Sequence, residues 1–259
     1  MKLTVVGCSG SFPQPDAAAS CYLVEADDDD GRTWRVLLDL GSGALGPLQR
    51  HADLHALDAV LLSHLHPDHC LDLTGLYVAR RYHPAGPAPH RLPVHGPAGT
   101  LRRLNEGYGV NEPGGLQTVY DVQEWSDGVA VRVGPLKVTP LRVEHPVEAY
   151  GMRVEHRSGL RTSVLAYTGD TDSCAALHPL AVGADLLLAE AAFVEGRDGA
   201  RGVHLTGRRA GEVAERAGVR RLVLTHVPVW TDPGVVLAEA RAAYPGPIDL
   251  ARPGQVHLL

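Results

Sequence analysis

The chain has 259 residues, 44% of them hydrophobic and 21% charged, which fits one large α/β domain over residues 1–259 and excludes an extensively disordered protein. Its formal net charge of −6 argues against broad binding to polyanions, although bound cations could still create a local positive site. Histidine is in excess, with 14 residues against 2 phenylalanines, and this side chain is both the commonest metal ligand and a titrating group near neutral pH.

The first half of the chain predicts strands that lead to one histidine-rich turn. Apolar runs bounded by turn residues predict strands at 3–6, 22–26, 34–39, 57–63 and 92–95. Helical spacing predicts helices over 71–82 and 100–108. The surrounding stretch 83–128 is rich in Pro, Gly and His at its start, and its role is left open, with no element assigned after residue 108.

The second half predicts a sheet followed by alternating helices and strands. Four runs between turn signals predict successive antiparallel strands at 129–133, 136–143, 150–155 and 164–167. Further apolar and helical patterns predict strands at 186–189 and 222–225 and helices at 207–217 and 235–244. Strands at both ends of the chain with helices between them imply an α/β architecture of two sheets sandwiched between helical layers.

The turn after the strand at 57–63 carries the densest chemical signal, Ser63-His64-Leu65-His66-Pro67-Asp68-His69. His64 and His66 stand two apart in an extended segment, so their imidazoles point the same way and can share one ion. Asp68 and His69 lie at the start of the following helix and turn toward a second ion. Because ligands gather at the carboxyl ends of strands in α/β sheets, this position favours a metal site over a surface histidine cluster.

Later strand ends supply further candidate ligands. His145, Asp170 and His226 each follow an apolar strand. Alone, His145 and His226 are as consistent with ordinary hydrogen-bonded histidines as with metal ligands. Asp170 is weaker evidence still, because turns favour Asp for local hydrogen bonding. Their shared position at strand ends makes a site for two ions the better interpretation.

Together, the histidine-rich turn and the later strand-end residues resemble the metallo-β-lactamase superfamily over roughly residues 1–257. The resemblance implies a four-layer αβ/βα sandwich with a dinuclear metal site. Asp39 matches the early aspartate that supports the ligands in this superfamily. The implied ligands are His64, His66 and His145 for one ion, Asp68, His69 and His226 for the other, and Asp170 bridging the two.

Two further segments resemble the ribonuclease Z branch, the tRNA 3′-processing endonucleases. Glu190 in Leu-Ala-Glu-Ala and His204 in Val-His-Leu-Thr match a carboxylate and histidine pair beside the metals. On this resemblance Glu190 orients His204, which can donate a proton to a departing alkoxide. Without it, His204 could be a feature of a helix start and Glu190 a surface carboxylate. True β-lactamases of the superfamily commonly have Cys at the position of Asp170, which disfavours that activity.

The resemblance to ribonuclease Z is incomplete between His145 and Asp170. That branch usually carries a long, Gly-rich basic arm there. In this chain the segment 146–169 is short and contains few basic side chains, so tRNA is a less natural substrate. Segments 6–11, 79–84 and 224–231 look most like actinobacterial proteins described as atypical cyclic-nucleotide phosphodiesterases. We therefore expect hydrolysis of cAMP to AMP, with tRNA 3′ processing or hydrolysis of another small ester as alternatives.

The expected cofactors are two divalent ions, for which histidine and carboxylate ligands suit Zn²⁺ and also Mn²⁺ or Fe²⁺. Two ions about 3.5–4 Å apart can lower the pKa of a bridging water, and the resulting hydroxide attacks phosphorus in line. His204 would protonate the leaving ribose oxygen. The residues expected to be catalytic are His204, Glu190, Asp68 and Asp170. The oligomeric state is left open: dimerisation is common in related enzymes, which allows a homodimer, but the sequence shows no interface pattern.

The remaining signals are weaker. Four scattered cysteines without a CxxC pair, and no long apolar segment, predict a reduced, cytoplasmic protein that is neither exported nor membrane-spanning. Arg80 and Arg81 are interpreted as the solvated face of a helix rather than a phosphate site. The segment 7–11 lacks the known phosphate-loop templates and is interpreted as a structural turn.

Overall fold

Within residues 1–110 and 114–259, which the computed structural model describes, the chain forms two facing β-sheets with helices on their outer sides. The strands are β1 (Lys2–Ser9), β2 (Ala18–Ala19), β3 (Cys21–Asp27), β4 (Thr33–Leu38), β5 (Ala59–Leu61), β6 (Leu92–Gly96), β7 (Tyr120–Glu124), β8 (Val131–Val133), β9 (Leu136–Arg142), β10 (Tyr150–Ser158), β11 (Arg161–Tyr167), β12 (Leu186–Glu190), β13 (Leu222–Thr225), β14 (Ile248–Leu250) and β15 (Val256–Leu258). The helices are α1 (Leu45–Leu48), α2 (Pro67–Cys70), α3 (Leu73–Arg81), α4 (Thr100–Tyr108), α5 (Leu177–Ala181), α6 (Gly207–Ala217) and α7 (Pro233–Ala243). None of the helices in this part of the chain combines the length and hydrophobicity needed to cross a bilayer.

Each of the two sheets contains a run of four neighbouring parallel strands. The first sheet has the order β15-β1-β3-β4-β5-β6-β7, with β2 paired to β1, and the second has the order β14-β13-β12-β11-β10-β9-β8. Strands β4 to β7 are parallel, as are β11 to β14. Strands β8 to β11 are antiparallel, as predicted, so β9 runs in the same direction as β11. The carboxyl ends of β9, β11, β12 and β13 therefore lie at one edge of the second sheet.

Apolar side chains pack in three layers that separate the sheets and the helices. Between the sheets, Tyr22 and Leu38 of the first pack in one cluster with Met152 and Tyr167 of the second. Residues of α1, α3 and α4 cover the outer face of the first sheet, and residues of α5, α6 and α7 cover the outer face of the second. This order of helix, sheet, sheet and helix confirms the predicted four-layer αβ/βα sandwich.

Helix α6 shows why some boundaries can be predicted to the residue. The hydroxyl of Thr206 accepts a hydrogen bond from the backbone N–H of Arg209 at its start, and Gly218 ends it in a left-handed conformation with φ 61°. Helix α4 likewise ends at a left-handed glycine, Gly109, with φ 81°. The predicted bounds 100–108, 207–217 and 222–225 all agree with the structure.

Other predicted bounds differ from the structure, and several short elements were not predicted. The predicted strand at 57–63 is hydrogen-bonded as a strand only over Ala59–Leu61, because the chain then turns into the histidine motif. The unpredicted elements β2, β7, β14, β15, α1, α2 and α5 span five residues or fewer, too short for a periodic pattern. The unassigned stretch after residue 108 contains β7 and also residues 111–113, which lie outside the described residues.

The interpretation of Arg80 is wrong, and the interpretation of residues 7–11 as a turn holds only for residues 10 and 11. Arg80 does not lie on a solvated face: it is 4% exposed, and its guanidinium donates to the carbonyl oxygens of Leu54 and His90 at 2.9 and 3.1 Å. It therefore joins two loops to α3, whereas Arg81 is exposed as expected. Residues 7–9 continue β1 rather than forming a turn, because Gly7 lets the carbonyl oxygen of Ala19 approach within 2.0 Å of where a Cβ would lie.

Candidate metal centre

Seven histidine and aspartate side chains from both sheets meet at one end of the sandwich. They lie in the turn after β5, in α2, and in the loops that follow β9, β11 and β13. The carboxyl ends of those strands bring the loops together, as the fold class requires. The seven residues, all predicted from the sequence, are His64, His66, Asp68, His69, His145, Asp170 and His226.

The first ligand set consists of three imidazoles. Nδ1 of His66 lies 3.0 Å from Nε2 of His64 and 3.3 Å from Nε2 of His145. Nitrogens that hold one zinc ion tetrahedrally, with bonds of about 2.0–2.1 Å, lie about 3.3 Å apart, so this spacing fits a shared ion. His64 is fully buried, whereas His66 and His145 are only partly buried, so the set faces outward on their side.

The second ligand set combines two carboxylates with two imidazoles, all of them buried. Oδ2 of Asp68 lies 3.5 Å from Nε2 of His69 and 3.8 Å from Nε2 of His226. The carboxylate of Asp170 lies 3.3 Å from each of the same two nitrogens, through Oδ1 to His69 and Oδ2 to His226. Mixed imidazole and carboxylate ligands of this kind suit Zn²⁺, Mn²⁺ and Fe²⁺.

Asp170 lies between the two sets. Its Oδ2 is also 3.7 Å from Nε2 of His64, so one carboxylate borders both groups of imidazoles. Among the described residues, the buried atoms Nε2 of His69 and Oδ1 of Asp170 have no hydrogen-bond partner. A buried polar atom without a partner is costly, and here both atoms point into the same cluster. The residues present therefore fit a dinuclear metal site.

Asp39 fixes the orientation of His69 from behind. Its Oδ2 accepts hydrogen bonds from Nδ1 of His69 at 2.8 Å and from the hydroxyls of Ser63 and Tyr167 at 2.7 Å each. This leaves Nε2 of His69 directed at the cluster, as a metal ligand requires. Burial lowers the pKa of His69, but the carboxylates of Asp170 and Asp39 outweigh it and raise that pKa well above its usual value. A cation bound at Nε2 would have to displace this proton.

Two other ligands are held through the ring nitrogen that faces away from the cluster. Nδ1 of His226 lies 3.2 Å from the hydroxyl oxygen of Ser20, which belongs to the first sheet. Nδ1 of His145 donates to the backbone carbonyl oxygen of Val203 at 2.9 Å. Both contacts use Nδ1, so Nε2 of each ring is directed toward the cluster, and they tie each candidate ligand to a distant part of the chain.

In contrast to His69, the candidate ligands His64, His66 and Asp170 have pKa shifts that favour the protonation states suited to metal binding. Burial lowers the pKa of His64 well below its usual value and lowers that of His66 as well. Burial raises the pKa of Asp170, but the neighbouring imidazoles, that of His226 first, outweigh it and hold the pKa well below its usual value. Neutral histidines and an ionised aspartate are the forms that bind cations.

Glu190 and His204 form a hydrogen-bonded pair beside the clusters. Glu190 is the last residue of β12 and is fully buried, which excludes the alternative that it is a surface carboxylate. Its Oε1 accepts a 2.8 Å bond from Nδ1 of His204 and another from the backbone N–H of Thr171. Burial lowers the pKa of His204, but the Glu190 charge and hydrogen bond prevail and raise it to about 9. This raised pKa favours a protonated imidazole at neutral pH, and Glu190 leaves Nε2–H of His204 unused.

The segment that carries His204 is held by residues that the sequence analysis missed. The carboxylate of Asp172 accepts bonds from the backbone N–H of Gly202 at 2.9 Å and from Nη1 of Arg209 at 3.0 Å. Nη1 of Arg209 also lies 3.4 Å from the carbonyl oxygen of His204. Asp172 stands two residues after Asp170, and that proximity was the one signal that could have indicated it.

Comparison with known proteins identifies the family. Residues 34–227 match the family model described as the β-lactamase superfamily domain, and this span contains every residue of both ligand sets. The chain belongs to the metallo-β-lactamase superfamily. Its fold and its cluster of histidines and aspartates are those of a metallo-hydrolase, suited to two metal ions.

Relatives in this superfamily align over nearly the whole chain. An uncharacterized protein of Mycobacterium leprae is 45% identical over 258 residues, covering 98% of this chain and 87% of the relative. The probable metallo-hydrolase YhfI of Bacillus subtilis is 31% identical and covers 99% of both chains. Ribonuclease Z of Haloferax volcanii is 26% identical and covers 98% of this chain and 94% of the relative.

Solved structures give the same fold. The crystal structure of Bacillus subtilis YhfI has a TM-score of 0.86 at 30% identity and covers 99% of this chain and 98% of its own. Human tRNase Z, short form, has a TM-score of 0.73 at 20% identity, with 100% and 99% covered. A diphosphatase of the PhnP family has a TM-score of 0.73 at 22% identity, with 100% and 97% covered. At these lower identities the last two share the fold alone.

Proposed function

We propose that this chain is a dinuclear metal-dependent phosphodiesterase that hydrolyses cyclic 3′,5′-nucleotides, converting cAMP to AMP. The observation that carries the proposal is the pair of His204 and Glu190 at 2.8 Å, next to both ligand sets. Hydrolysis of a phosphodiester expels an alkoxide, which leaves far more readily when a positioned acid protonates it. Residues 1–259 would act as one catalytic domain, because ligands come from both sheets.

The proposed roles follow from the positions of the side chains. The two ligand sets would hold divalent ions, which would supply Lewis-acid activation of water and neutralise charge that develops at phosphorus. Asp68 and Asp170 place negative charge among the imidazoles and hold the ions, with Asp170 bordering both sets. His204 donates the proton of Nε2 to the leaving ribose oxygen, and the Glu190 carboxylate stabilises the imidazolium before the transfer.

The segment between His145 and Asp170 favours a small substrate over tRNA. Residues 150–167 of this segment form the hairpin of β10 and β11, whose strands pair from Met152 with Tyr167 to Ser158 with Arg161. The hairpin lies within the second sheet, and no basic arm extends from this part of the described chain. At a net charge of −6, recognition of a folded RNA would need such an extension.

A second candidate function is tRNA 3′ processing. Curated relatives named ribonuclease Z cover nearly the whole chain, that of Salinispora arenicola at 29% identity and that of Haloferax volcanii at 26%. The alignment with the second runs over 307 positions, more than the 259 residues of this chain, so that relative carries inserted segments. The proposal of a small substrate predicts that such insertions serve RNA binding in that relative.

The test is hydrolysis of cAMP, cGMP and a precursor tRNA by enzyme whose Zn²⁺, Mn²⁺ and Fe²⁺ contents have been measured. We expect AMP from cAMP, no cleavage of the tRNA, and loss of turnover of about 10²-fold or more in His204→Ala. His178→Ala, which removes an exposed histidine on α5, should leave turnover unchanged. Cleavage of the tRNA alone would establish the second candidate, and full turnover by His204→Ala would remove the proton donor.

A further inference from the structure

Phe12 and Trp230 form an exposed aromatic pair. Their ring centroids are 5.4 Å apart with the planes tilted by 49°, and the side chains are 43% and 59% exposed. The chain has only 2 phenylalanines and 3 tryptophans. Of the other two tryptophans, Trp125 is buried and Trp34 is partly buried. Among the described residues, the exposed Tyr82 and Tyr108 each contact the buried Tyr77, whereas Phe12 and Trp230 contact each other while both are exposed, and this position outside the core calls for another role.

This pair borders the second ligand set. Phe12 follows Ser11, whose backbone nitrogen lies 3.4 Å from Nε2 of His226. Trp230 lies four residues after His226, in the loop that follows β13. Phe12, which follows the first sheet's strand β1, is therefore next to a residue that contacts His226. Trp230, which follows the second sheet's strand β13, lies on the same loop as His226.

The two loops that carry the rings are fixed to one another. The carbonyl oxygen of Val227 accepts bonds from the backbone N–H of Gly10 at 3.4 Å and from Nε2 of Gln14 at 2.9 Å. Next to Trp230, the hydroxyl of the buried Thr231 accepts a 3.0 Å bond from Nη2 of Arg197. The backbone is held on both sides while the rings remain in solvent, so a flat ligand could bind them at little entropic cost.

We propose that Phe12 and Trp230 are the subsite that stacks the nucleobase of the substrate. This inference rests on the proposed nucleotide phosphodiesterase activity, in which the phosphoryl group lies at the ligand sets and the base extends beyond them. Aromatic side chains stack on the π-face of any base, and preferences then follow stacking strength rather than hydrogen-bond pattern. The subsite should favour purines over pyrimidines and discriminate only weakly between adenine and guanine.

The kinetic test uses Zn²⁺-loaded wild type, Trp230→Ala, Phe12→Ala and the conservative Trp230→Phe. The control is Tyr82→Ala, since Tyr82 is 63% exposed and follows the far end of α3. Substrates are cAMP and its base-free analogue, methyl ribofuranoside 3′,5′-cyclic phosphate. We expect Trp230→Ala and Phe12→Ala to raise KM for cAMP about tenfold with kcat unchanged, and Trp230→Phe to restore most of it. The base-free substrate should show the same kcat/KM with all variants.

Three kinetic results would overturn the subsite. An unchanged KM for cAMP in Trp230→Ala would mean that the base binds elsewhere. Equal losses with both substrates would mean that the pair only holds the loop of His226. An unchanged KM together with a shift from dimer to monomer, measured by light scattering, would identify the pair as a contact between two copies of the chain.

A binding measurement separates this inference from the proposed function. AMP should quench the fluorescence of Trp230, whereas ribose 5-phosphate, which carries a phosphate without a base, should not. The quenching should disappear in Trp230→Phe. Quenching by AMP in a protein that does not hydrolyse cAMP would support the base subsite while removing the proposed substrate. Turnover of cAMP without any quenching would overturn the subsite and leave the activity standing.

Discussion

Nδ1 of His145, a ligand of the first set, donates a 2.9 Å hydrogen bond to the carbonyl oxygen of Val203, the residue before His204. The loop after β9 and the segment that carries the proposed proton donor are therefore joined directly. Asp172 holds the same segment from its other side through Gly202 and Arg209. Binding of an ion at His145 and the position of His204 are thus coupled through one short stretch of backbone.

The first prediction concerns this stretch. Asp172→Asn keeps the shape of the side chain but removes the charge that pairs with Arg209 at 3.0 Å, so the position of His204 should become less defined. We expect kcat for cAMP to fall about tenfold, with KM and metal content unchanged, because a small misplacement of a catalytic group is enough for such a loss. Asp249→Asn removes a more exposed ion pair with Arg221 and should leave kcat unaltered. Lost metal in Asp172→Asn would instead indicate damage to the ligand sets.

The second prediction concerns pH. The Glu190 charge raises the pKa of His204 to about 9, so the protonated donor is present below that pH and is lost as the pH rises through it. Bound cations lower this value, and the alkaline limb of kcat/KM should therefore lie at or below about pH 9. Glu190→Gln removes the charge and should move the limb to lower pH. An alkaline limb at the same pH in both proteins would show that another group titrates there.

The third prediction concerns Asp39. In Asp39→Asn, His69 would lose its anionic partner at 2.8 Å, and its Nε2 would become a weaker and less oriented ligand. Substitutions of this kind reduce metal affinity by about 10–100-fold, and we expect a loss in this range for one of two zinc ions. A zinc titration against a competing chelator measures it. Asp53→Asn, which removes the charge of an exposed aspartate that accepts a hydrogen bond from the backbone N–H of His55, is the matched control and should bind zinc as wild type does.

The fourth prediction concerns metal removal. Without cations, the buried imidazoles and carboxylates of the second ligand set lack the charge that would balance them. Ions that bind only the folded state at 100 times their Kd stabilise it by about 2.7 kcal/mol per site. Chelation should therefore lower Tm, and added Zn²⁺ should restore it. Asp170→Asn should show a much smaller metal-dependent change, and an equal change in both proteins would place the ions elsewhere.

Much of the ligand set could be predicted because its residues are close in sequence or follow predicted strands. His64, His66 and His69 fall within six residues, and the strand ends that carry His145 and His226 follow from apolar runs. Contacts between distant segments leave no such pattern. Ser20 approaches His226 from 206 residues away, and Tyr167 approaches Asp39 from 128 residues away. Only the folded chain brings them together, so the sequence could not indicate them.

The burial of Arg80 was also beyond the sequence. Helical spacing places Arg80 and Arg81 on adjacent positions of α3, and their shared charge suggests a common exposed face. The carbonyl oxygens that accept from Arg80 belong to Leu54, at the start of a short 3₁₀-helix over Leu54–Ala56, and to His90, in a loop, and neither segment is long enough to show a periodic pattern. Hydrogen bonds to backbone oxygens compensate the burial of the guanidinium, and such compensation depends on loop geometry that periodicity does not encode.

Among the described residues, the non-glycine residues with positive φ are Ser11, Asp39 and His226, at 65°, 59° and 58°, and all three border the metal centre. This conformation costs about 1–2 kcal/mol for a residue with a Cβ, so this form of backbone strain in the described chain lies beside the candidate metal centre. Glycine would relieve the cost at each position. At Ser11 the group that contacts the site is the backbone N–H, which glycine keeps, whereas at Asp39 and His226 it is the side chain, which glycine lacks. Ser11→Gly is thus where this protein can gain thermal stability beside its site without giving up a ligand or a support, whereas the same exchange at Asp39 or His226 would trade activity for a relaxed chain.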